Sequence, residues 1–412
     1  METTTVKLNA LRKLRRTGVR LGNSLATKGK QNMIILLALV VLILIFYIFN
    51  PNFLKVYNIV SMAQSLAPYA ILALGVTFVI ASGGIDLSIG TVCIASSVVS
   101  GHLYVLGLLP LWLTLPLMIA IGCLFGLING VLVAKLKVPA FIATLGTMMF
   151  SRGLSAIIVA VPNIFYPTGS WFNQLFSNYN GFPIGLAWVA GLMLVCMYLM
   201  YKNRTGRYIL AIGSNEEAAR LSGINTDRYK MLAYIFSGIG AGIAAIFWSA
   251  SFTTVAAATG NGYELDAIAG VYIGGTSAAG GIASIAGSVI GSMMLVVIRS
   301  GLNFVLARFN LNVNATYVTY VLTGIIVVAA VLMDIIKNRK ANRVRILTPA
   351  QELTHRYREE REALNCRMDE LLSDRTLTKE ERALRTAALN DEITALKTEY
   401  SRNLTQAKAA AK

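Results

Sequence analysis

The stretch Asn203–Lys230, NRTGRYILAIGSNEEAARLSGINTDRYK, is the one substantial polar island in a long chain of apolar segments. Within it Ser214 and Glu217 make the S-x-x-E of a capping box, and Gly223 suits the left-handed residue that closes a helix. The spacing predicts a short helix, about two turns, isolated at a membrane surface inside a basic loop. A membrane subunit offers such an element to a soluble partner.

The chain around it has 412 residues, 55% hydrophobic and only 14% charged, with a mean hydropathy of +0.61. A water-soluble domain of that composition would expose far too much apolar surface. The expected fold class is therefore an all-α polytopic membrane protein. The net charge is +17, and residues 1–345 carry all of it, with 25 Lys/Arg against 8 Asp/Glu, while residues 346–412 are balanced at 12 against 12. Basic residues placed between hydrophobic segments, without a nucleic-acid motif, report orientation in the membrane. Cys93, Cys123, Cys196 and Cys366 show no paired spacing, so neither a disulfide framework nor a metal site is indicated. The N-terminal basic residues and the apolar run Met33–Phe49 read as a retained anchor, because Asn50-Pro51-Asn52 follows it in place of a small-residue cleavage site.

Ten segments match the roughly 17 to 25 residues that cross a bilayer: 33–49, 65–81, 88–106, 112–134, 138–160, 184–201, 231–251, 264–280, 282–298 and 315–333. With a cytoplasmic N-terminus the inside segments hold 21 Lys/Arg, and the outside ones hold only Lys55, Arg299 and Arg308. That asymmetry places both termini and residues 202–230 in the cytoplasm. The uncharged, aromatic-rich loop VPNIFYPTGSWFNQLFSNYNGFP at 161–183 then lies outside, as an interfacial belt or as a docking surface for a delivered ligand or its carrier.

SGGIDLSIG at 82–90 follows the second span and GNGYELDAIAG at 260–270 follows the seventh, which runs the opposite way. The halves are expected to form an inverted repeat. Asp86, Arg152, Glu264 and Asp266 are the charges in apolar surroundings, and such charges persist where backbone, water or a counter-charge receives them. Asp86 reads either as a pathway residue on unwound backbone or as a cap for a helix beginning at Leu87. Glu264 and Asp266 read either as pathway acids or as first-turn acids favoured by the helix dipole. Arg152 either snorkels or pairs with one of them. Gln64, Asn129 and Thr147 are the uncharged pathway candidates. The glycines of several spans, Gly238, Gly240 and Gly242 among them, suit close helix packing or helices that rock. No phosphate-binding G-x-x-x-x-G-K-[ST] loop and no H-E-x-x-H is present, so the chain is not itself a phosphate-loop ATPase, nor is metal chemistry indicated.

Four stretches in order, NIVSMAQSLAPYAILALGVTFVIASGGIDLSIG, VPAFIATLGTMMFSRG, GRYILAIGSNEEAARLSGIN and GYELDAIAGVYIGGTSAAGG, resemble the permease subunits of bacterial ABC importers for monosaccharides, of the ribose, galactose and xylose type. The resemblance covers about residues 34–335 and marks 33–336 as the permease domain, between a basic N-terminus (1–32) and a basic linker (337–347). It implies a heteromeric importer of the inner membrane. Two permeases form the pathway, cytoplasmic ATPases consume ATP with Mg, an extracytoplasmic sugar-binding protein delivers the substrate, and this chain binds no cofactor. Asn215 to Ser222 would be the coupling helix, with Glu216, Glu217 and Arg220 making polar contacts and Leu221 an apolar one. An ion-coupled secondary transporter using Asp86, Glu264 or Asp266 is the competing reading, and it leaves the capped loop helix unexplained.

Residues 348–412 depart from that family. Thr348-Pro349-Ala350-Gln351 reads as a helix start, and Leu353, Tyr357, Leu364, Met368 and Leu371 follow as an apolar stripe. A second capping box, Thr378 with Glu381, leads into Leu389, Ile393, Leu396 and Tyr400. A cytoplasmic helical hairpin is expected. Its stripe binds a partner or simply packs helix on helix.

Overall fold

A helix crosses a bilayer with its backbone bonds satisfied within the segment, and among the described residues the long apolar runs are largely helical. The computed structural model describes residues 32–158, 163–256, 259, 260, 262–309, 315–342, 349–373 and 378–410. Seven helices there are long and apolar enough to cross a membrane. They are α1 (Asn32–Phe49), α2 (Val56–Ala81), α4 (Leu111–Gly130, continued by a wider π-type turn to Lys135), α5 (Ala140–Ile158), α7 (Gly185–Met197, likewise continued to Lys202), α10 (Thr226–Phe252) and α12 (Ile285–Arg308). The helix α3 (Ile89–Val105) is apolar but shorter. The remaining helices are α6 (Trp171–Phe176), α8 (Arg204–Ser214), α9 (Glu216–Leu221), α11 (Tyr263–Ile273), α13 (Ala315–Asn342), α14 (Pro349–Ser373) and α15 (Lys379–Ala410). The only strands among the described residues are β1 (Ile164–Phe165) and β2 (Thr254–Val255), which pair antiparallel.

Three expectations change. The eighth predicted span, 264–280, is helical only over α11, eleven residues long, because Gly274 and Gly275 end it and Gly275 takes φ +85°. The second span begins nine residues earlier than its apolar run, at Val56. Arg299 and Arg308, counted as outer-loop charges, belong to α12. Of the linker expected at 337–347, residues 337–342 belong to α13, while 343–348, with Thr348, and residues 1–31 of the basic N-terminus lie outside the described residues.

The chain divides into two units, Met1–Asn338 and Arg339–Lys412. In the first, α2 and α10 occupy the centre: most of α2 is buried, although its composition alone would suit a lipid-facing helix. Glycines set the helix spacing. A Cβ on Gly75 of α2 would stand 3.2 Å from Cα of Gly240 on α10, and one on Gly126 of α4 would stand 3.1 Å from Cα of Gly238. Likewise, a Cβ on Gly270 of α11 would lie 3.0 Å from the amide nitrogen of Ser292 on α12. The packing follows one pattern in both halves, with α3 and α4 against α10, and α11 and α12 against α2.

Contacts between distant segments sort the loops to two ends. At one end Gly281 N–H donates to Ala81 O at 3.0 Å, and Lys137 pairs with Asp227. At the other, β1 meets β2, the Tyr166 hydroxyl donates to Ser97 O at 2.6 Å, and Asn173 Nδ2 donates to Ala250 O at 2.6 Å. The aromatic loop is thus folded, with α6 packed under Phe247 and Trp188. In the second unit α14 packs against α15, and Tyr357 stacks on Tyr400 with ring centroids 4.2 Å apart.

Candidate functional site

The polar island folds into α8, a single extended residue, and α9. Asn215 (φ −164°, ψ 107°) is the residue between them, and its Oδ1 accepts Ala218 N–H at 2.9 Å. The cap is therefore Asn215, and the predicted Ser214–Glu217 box does not form. Ser214 is the last residue of α8 and its hydroxyl donates back to Leu210 O at 3.1 Å. At the other end Gly223 adopts φ +82°, with Gly223 N–H donating to Arg220 O at 3.0 Å and Ile224 N–H to Ala219 O at 3.1 Å. That is the two-bond Schellman closure expected of glycine there.

Side chains on α9 divide into two sets. Glu216 is tied to Lys230 of α10 at 2.5 Å and to Arg220 at 3.3 Å, and Arg220 also donates to the Thr226 hydroxyl at 3.2 Å. Ala219 is buried against the body. Glu217 is exposed and Leu221, one turn on, is 90% exposed. Leu221 and Glu217 thus share the solvent-exposed side of a helix fixed at both ends, while Glu216 and Arg220 bond to Lys230 and Thr226 of α10. A cavity of about 510 Å³ opens beside α9, lined by Glu216, Glu217 and Arg220 together with Gly83, Lys137, Lys230 and Tyr234 among others.

Three of the predicted pathway residues come together. Asp86 is 2% exposed, on the non-helical turn between α2 and α3. Its Oδ1 accepts Ser88 N–H at 2.9 Å and the Ser88 hydroxyl at 2.7 Å, and its Oδ2 accepts the Ser237 hydroxyl at 2.7 Å. Asn129 donates to Ser88 Oγ at 2.8 Å and accepts from Thr147 at 2.6 Å. One connected set of bonds thereby links the Asp86 turn to α4, α5 and α10. Asp86 is not the expected cap: α3 starts at Ile89 rather than Leu87, its N-cap is Ser88, and the Asp86 carboxylate bonds to the Ser88 amide ahead of the helix.

Glu264 and Asp266 both sit in the first turn of α11, as expected. Asp266 pairs with Arg299 of α12, which also donates to the Tyr69 hydroxyl at 2.6 Å. The partner sought for these acids is thus Arg299 for Asp266. Arg152, on α5, lies within electrostatic reach of Glu264, whose Oε2 is buried without a hydrogen bond. Gln64 stands apart: its amide donates to Ser177 at 3.3 Å and braces α2 against α6. Sequence reasoning missed Ser88, Ser237, Arg299 and Tyr69. The serine two places after Asp86 was the readable signal for the first. Nothing local marks the others, since they are supplied by distant helices.

A body of apolar, membrane-length helices with a capped, exposed helix at one end and buried polar links between spans is the architecture of a polytopic membrane protein. A family model described as the permease component of the branched-chain amino acid transport system matches residues 58–331. The chain is 36% identical over 311 residues to the ribose import permease protein of Escherichia coli (strain K12), covering 73% of this chain and 92% of that one. Identity is 34% over 293 residues, 71% and 87% of the two chains, to the L-arabinose transport system permease protein of the same strain. It is 34% over 321 residues, 74% and 92%, to the fructose import permease protein of Bifidobacterium longum (strain NCC 2705). No solved structure matches. The chain belongs to this permease family, among the ABC-type monosaccharide permeases.

Proposed function

We propose that the chain is the membrane-spanning subunit of an ATP-driven importer, passing a monosaccharide of the ribose, galactose and xylose class delivered by an extracytoplasmic binding protein. A separate ATPase, using ATP and Mg, docks on α9, and a second copy of the chain or a homologue completes the pathway. The observation that carries this reading is the face of α9, where Glu217 and Leu221 are presented to solvent while Asn215, Gly223 and the Glu216–Lys230 pair fix the helix on the body. Nucleotide-driven closure of the ATPases would move this element and bias the permease between two access states.

The positive-inside count supports cytoplasmic termini and a cytoplasmic α9 in the inner membrane. Clustering of Ala81, Lys137, Asp227 and Gly281 at one end agrees with that orientation. A ten-span count takes α3, α11 and α13 as membrane elements beside the seven long helices, and the shared packing pattern of the two halves supports an inverted repeat. Asp86, Asn129, Thr147, Arg152, Glu264 and Asp266 line or support the pathway between them. The packed pair α14 and α15 is taken as a cytoplasmic hairpin appended to the permease.

Co-purification with the ATPase encoded beside this gene tests the reading, comparing the intact chain with Glu217→Arg and with a chain ending at Arg345. Loss of the ATPase with Glu217→Arg is the expected result. Loss only on truncation would move the docking site to the tail. No ATPase on any chain, with sugar uptake that follows the proton gradient, would replace the importer with an ion-coupled transporter.

A further inference from the structure

Four glycines join three backbones from distant parts of the chain at the end where α9 sits. Gly213 is the penultimate residue of α8, two residues before the Asn215 cap. A Cβ on Gly213 would stand 2.5 Å from the Gly281 nitrogen and 3.0 Å from the carbonyl carbon of Ala81. One on Gly280 would stand 2.8 Å from Gly213 O and 2.9 Å from Cα of Gly83, and one on Gly281 would stand 2.9 Å from Cα of Ser214. Gly83, Gly280 and Gly281 take φ of +81°, +83° and +76°, a region that disfavours side chains irrespective of space. Gly281 N–H donates to Ala81 O across the junction at 3.0 Å. Apart from the Ser214 hydroxyl, which a Cβ built on Gly281 would also meet, the close approaches between the end of α8 and the turn at Gly280–Gly281 are between backbone atoms.

Each turn leads into bonds between spans. The turn after Ala81 carries Asp86 and through it Ser88, Ser237, Asn129 and Thr147. The turn around Gly280 leads through Ser284, whose amide donates to Thr276 Oγ1 at 3.0 Å, to Ser288, which shares a 2.9 Å bond with Thr77 of α2. Tyr201, at the end of α7, donates its hydroxyl to Ala283 O at 3.0 Å and accepts Ile285 N–H at 3.1 Å.

We propose that Gly83, Gly213, Gly280 and Gly281 are positioning residues that transmit displacement of the docking helix α9, backbone to backbone, to the Asp86 turn and to the turn that starts α12. This rests on the reading of α9 as the ATPase-docking helix. A side-chain contact yields to a push by changing rotamer, whereas a close-packed backbone junction has no such slack. Small shifts at such a junction are converted into discrete rearrangements of the packed helices beyond it. Close helix packing alone would explain small residues here, but would not require the junction to respond to nucleotide.

The test uses the full-length chain bound to its ATPase, with the exposed Cys366 replaced by serine and a reporter thiol introduced as Ala279→Cys, an exposed position beside Gly280. The rate of modification by a membrane-impermeant maleimide is compared with and without a non-hydrolysable ATP analogue. A change of at least about fivefold is expected, the lower end of ordinary coupling between sites. Gly213→Ala and Gly281→Ala are expected to keep the ATPase bound and to lose the change. Inserting Gly-Ser between Ser214 and Asn215 leaves all four glycines in place, lengthens the link to α9, and is expected to lose it too. A reporter indifferent to nucleotide in the assembled complex overturns the proposal, as does an insertion variant that responds like its parent. Failure of the parent chain to bind any ATPase instead removes the docking reading itself.

Discussion

Thr147 of α5 donates its hydroxyl to Oδ1 of Asn129 on α4 at 2.6 Å, and the Asn129 amide donates in turn to Ser88 at 2.8 Å. Both residues are buried, in surroundings where an unpaired polar group finds no water. Asn129→Leu leaves the Thr147 hydroxyl without its acceptor and removes the bond that Ser88 Oγ accepts, although Ser88 still donates to Asp86. A loss of about 1 to 3 kcal/mol is expected, against about 1 kcal/mol for Thr147→Val, which removes only the terminal bond. Thermal unfolding of the detergent-solubilised chain measures both. Equal losses would mean that the three residues do not act as a connected set.

Asp266 and Arg299 join α11 to α12, with the Asp266 side chain 3% exposed and that of Arg299 26%. Removing one partner of a buried pair leaves the other charge uncompensated, at roughly 3 to 5 kcal/mol. Asp266→Ala should fall near the lower figure, because Arg299 keeps some solvent and its bond to Tyr69. Replacing both by leucine should recover most of that loss. If the double variant is no more stable than Asp266→Ala, the pair contributes more than mutual neutralisation.

Contact between α4 and α10 depends on glycine at both surfaces: a Cβ on Gly238 would lie 2.8 Å from Cα of Gly126. Gly238→Val forces these backbones apart and should cost at least the roughly 1 to 3 kcal/mol typical of overpacking. Gly146 and Gly153, on an open face of α5, have no atom within 4 Å of a built Cβ. Gly153→Ala should leave the melting temperature of the isolated chain unchanged or raise it, since Ala is the better helix former. A destabilised Gly153→Ala would show that this face is packed in the solubilised protein.

On α9, the proposed docking helix, Leu221 is exposed while Glu216 bonds to Lys230 of the body. Leu221→Asp should weaken ATPase binding at least about tenfold, the loss expected on truncating an apolar anchor in an interface. Lys230→Ala removes the partner of Glu216 without touching the exposed face, and should cost about 1 kcal/mol or less in binding. Affinity of the solubilised chain for the purified ATPase separates the two. A larger effect of Lys230→Ala would place the contact on the Glu216 side of the helix.

Sequence periodicity located nearly every long helix, because lipid and protein interior both demand apolar residues. For the same reason it could not tell the buried α2 from the exposed α1, or see that α11 stops at Ile273. Charges in spans were legible as anomalies, whereas their partners were not. Arg299 was counted as a loop residue because it fell one place beyond an apolar run. The capping motifs show how context decides. The box at Thr378 forms, but the same spacing at Ser214 fails because Ser214 is already helical and Asn215 is placed to cap α9.

At the start of α15 the Glu381 carboxylate accepts the Thr378 hydroxyl at 3.0 Å and the Thr378 N–H at 3.2 Å, while Thr378 Oγ1 accepts Glu381 N–H at 3.3 Å. These bonds favour the ionised carboxylate and hold it below the usual glutamate range. A depressed folded-state pKa means that the contribution is present above the unfolded value of about 4.3 and disappears as pH falls through the folded one. Amide exchange in the first turn of α15 should therefore accelerate, relative to the intrinsic rate, as pH drops below about 4. Glu381→Gln keeps an acceptor without the charge and should abolish that pH dependence while preserving part of the cap. If exchange in the first turn of the parent chain stays flat across this interval, Glu381 does not hold the start of α15.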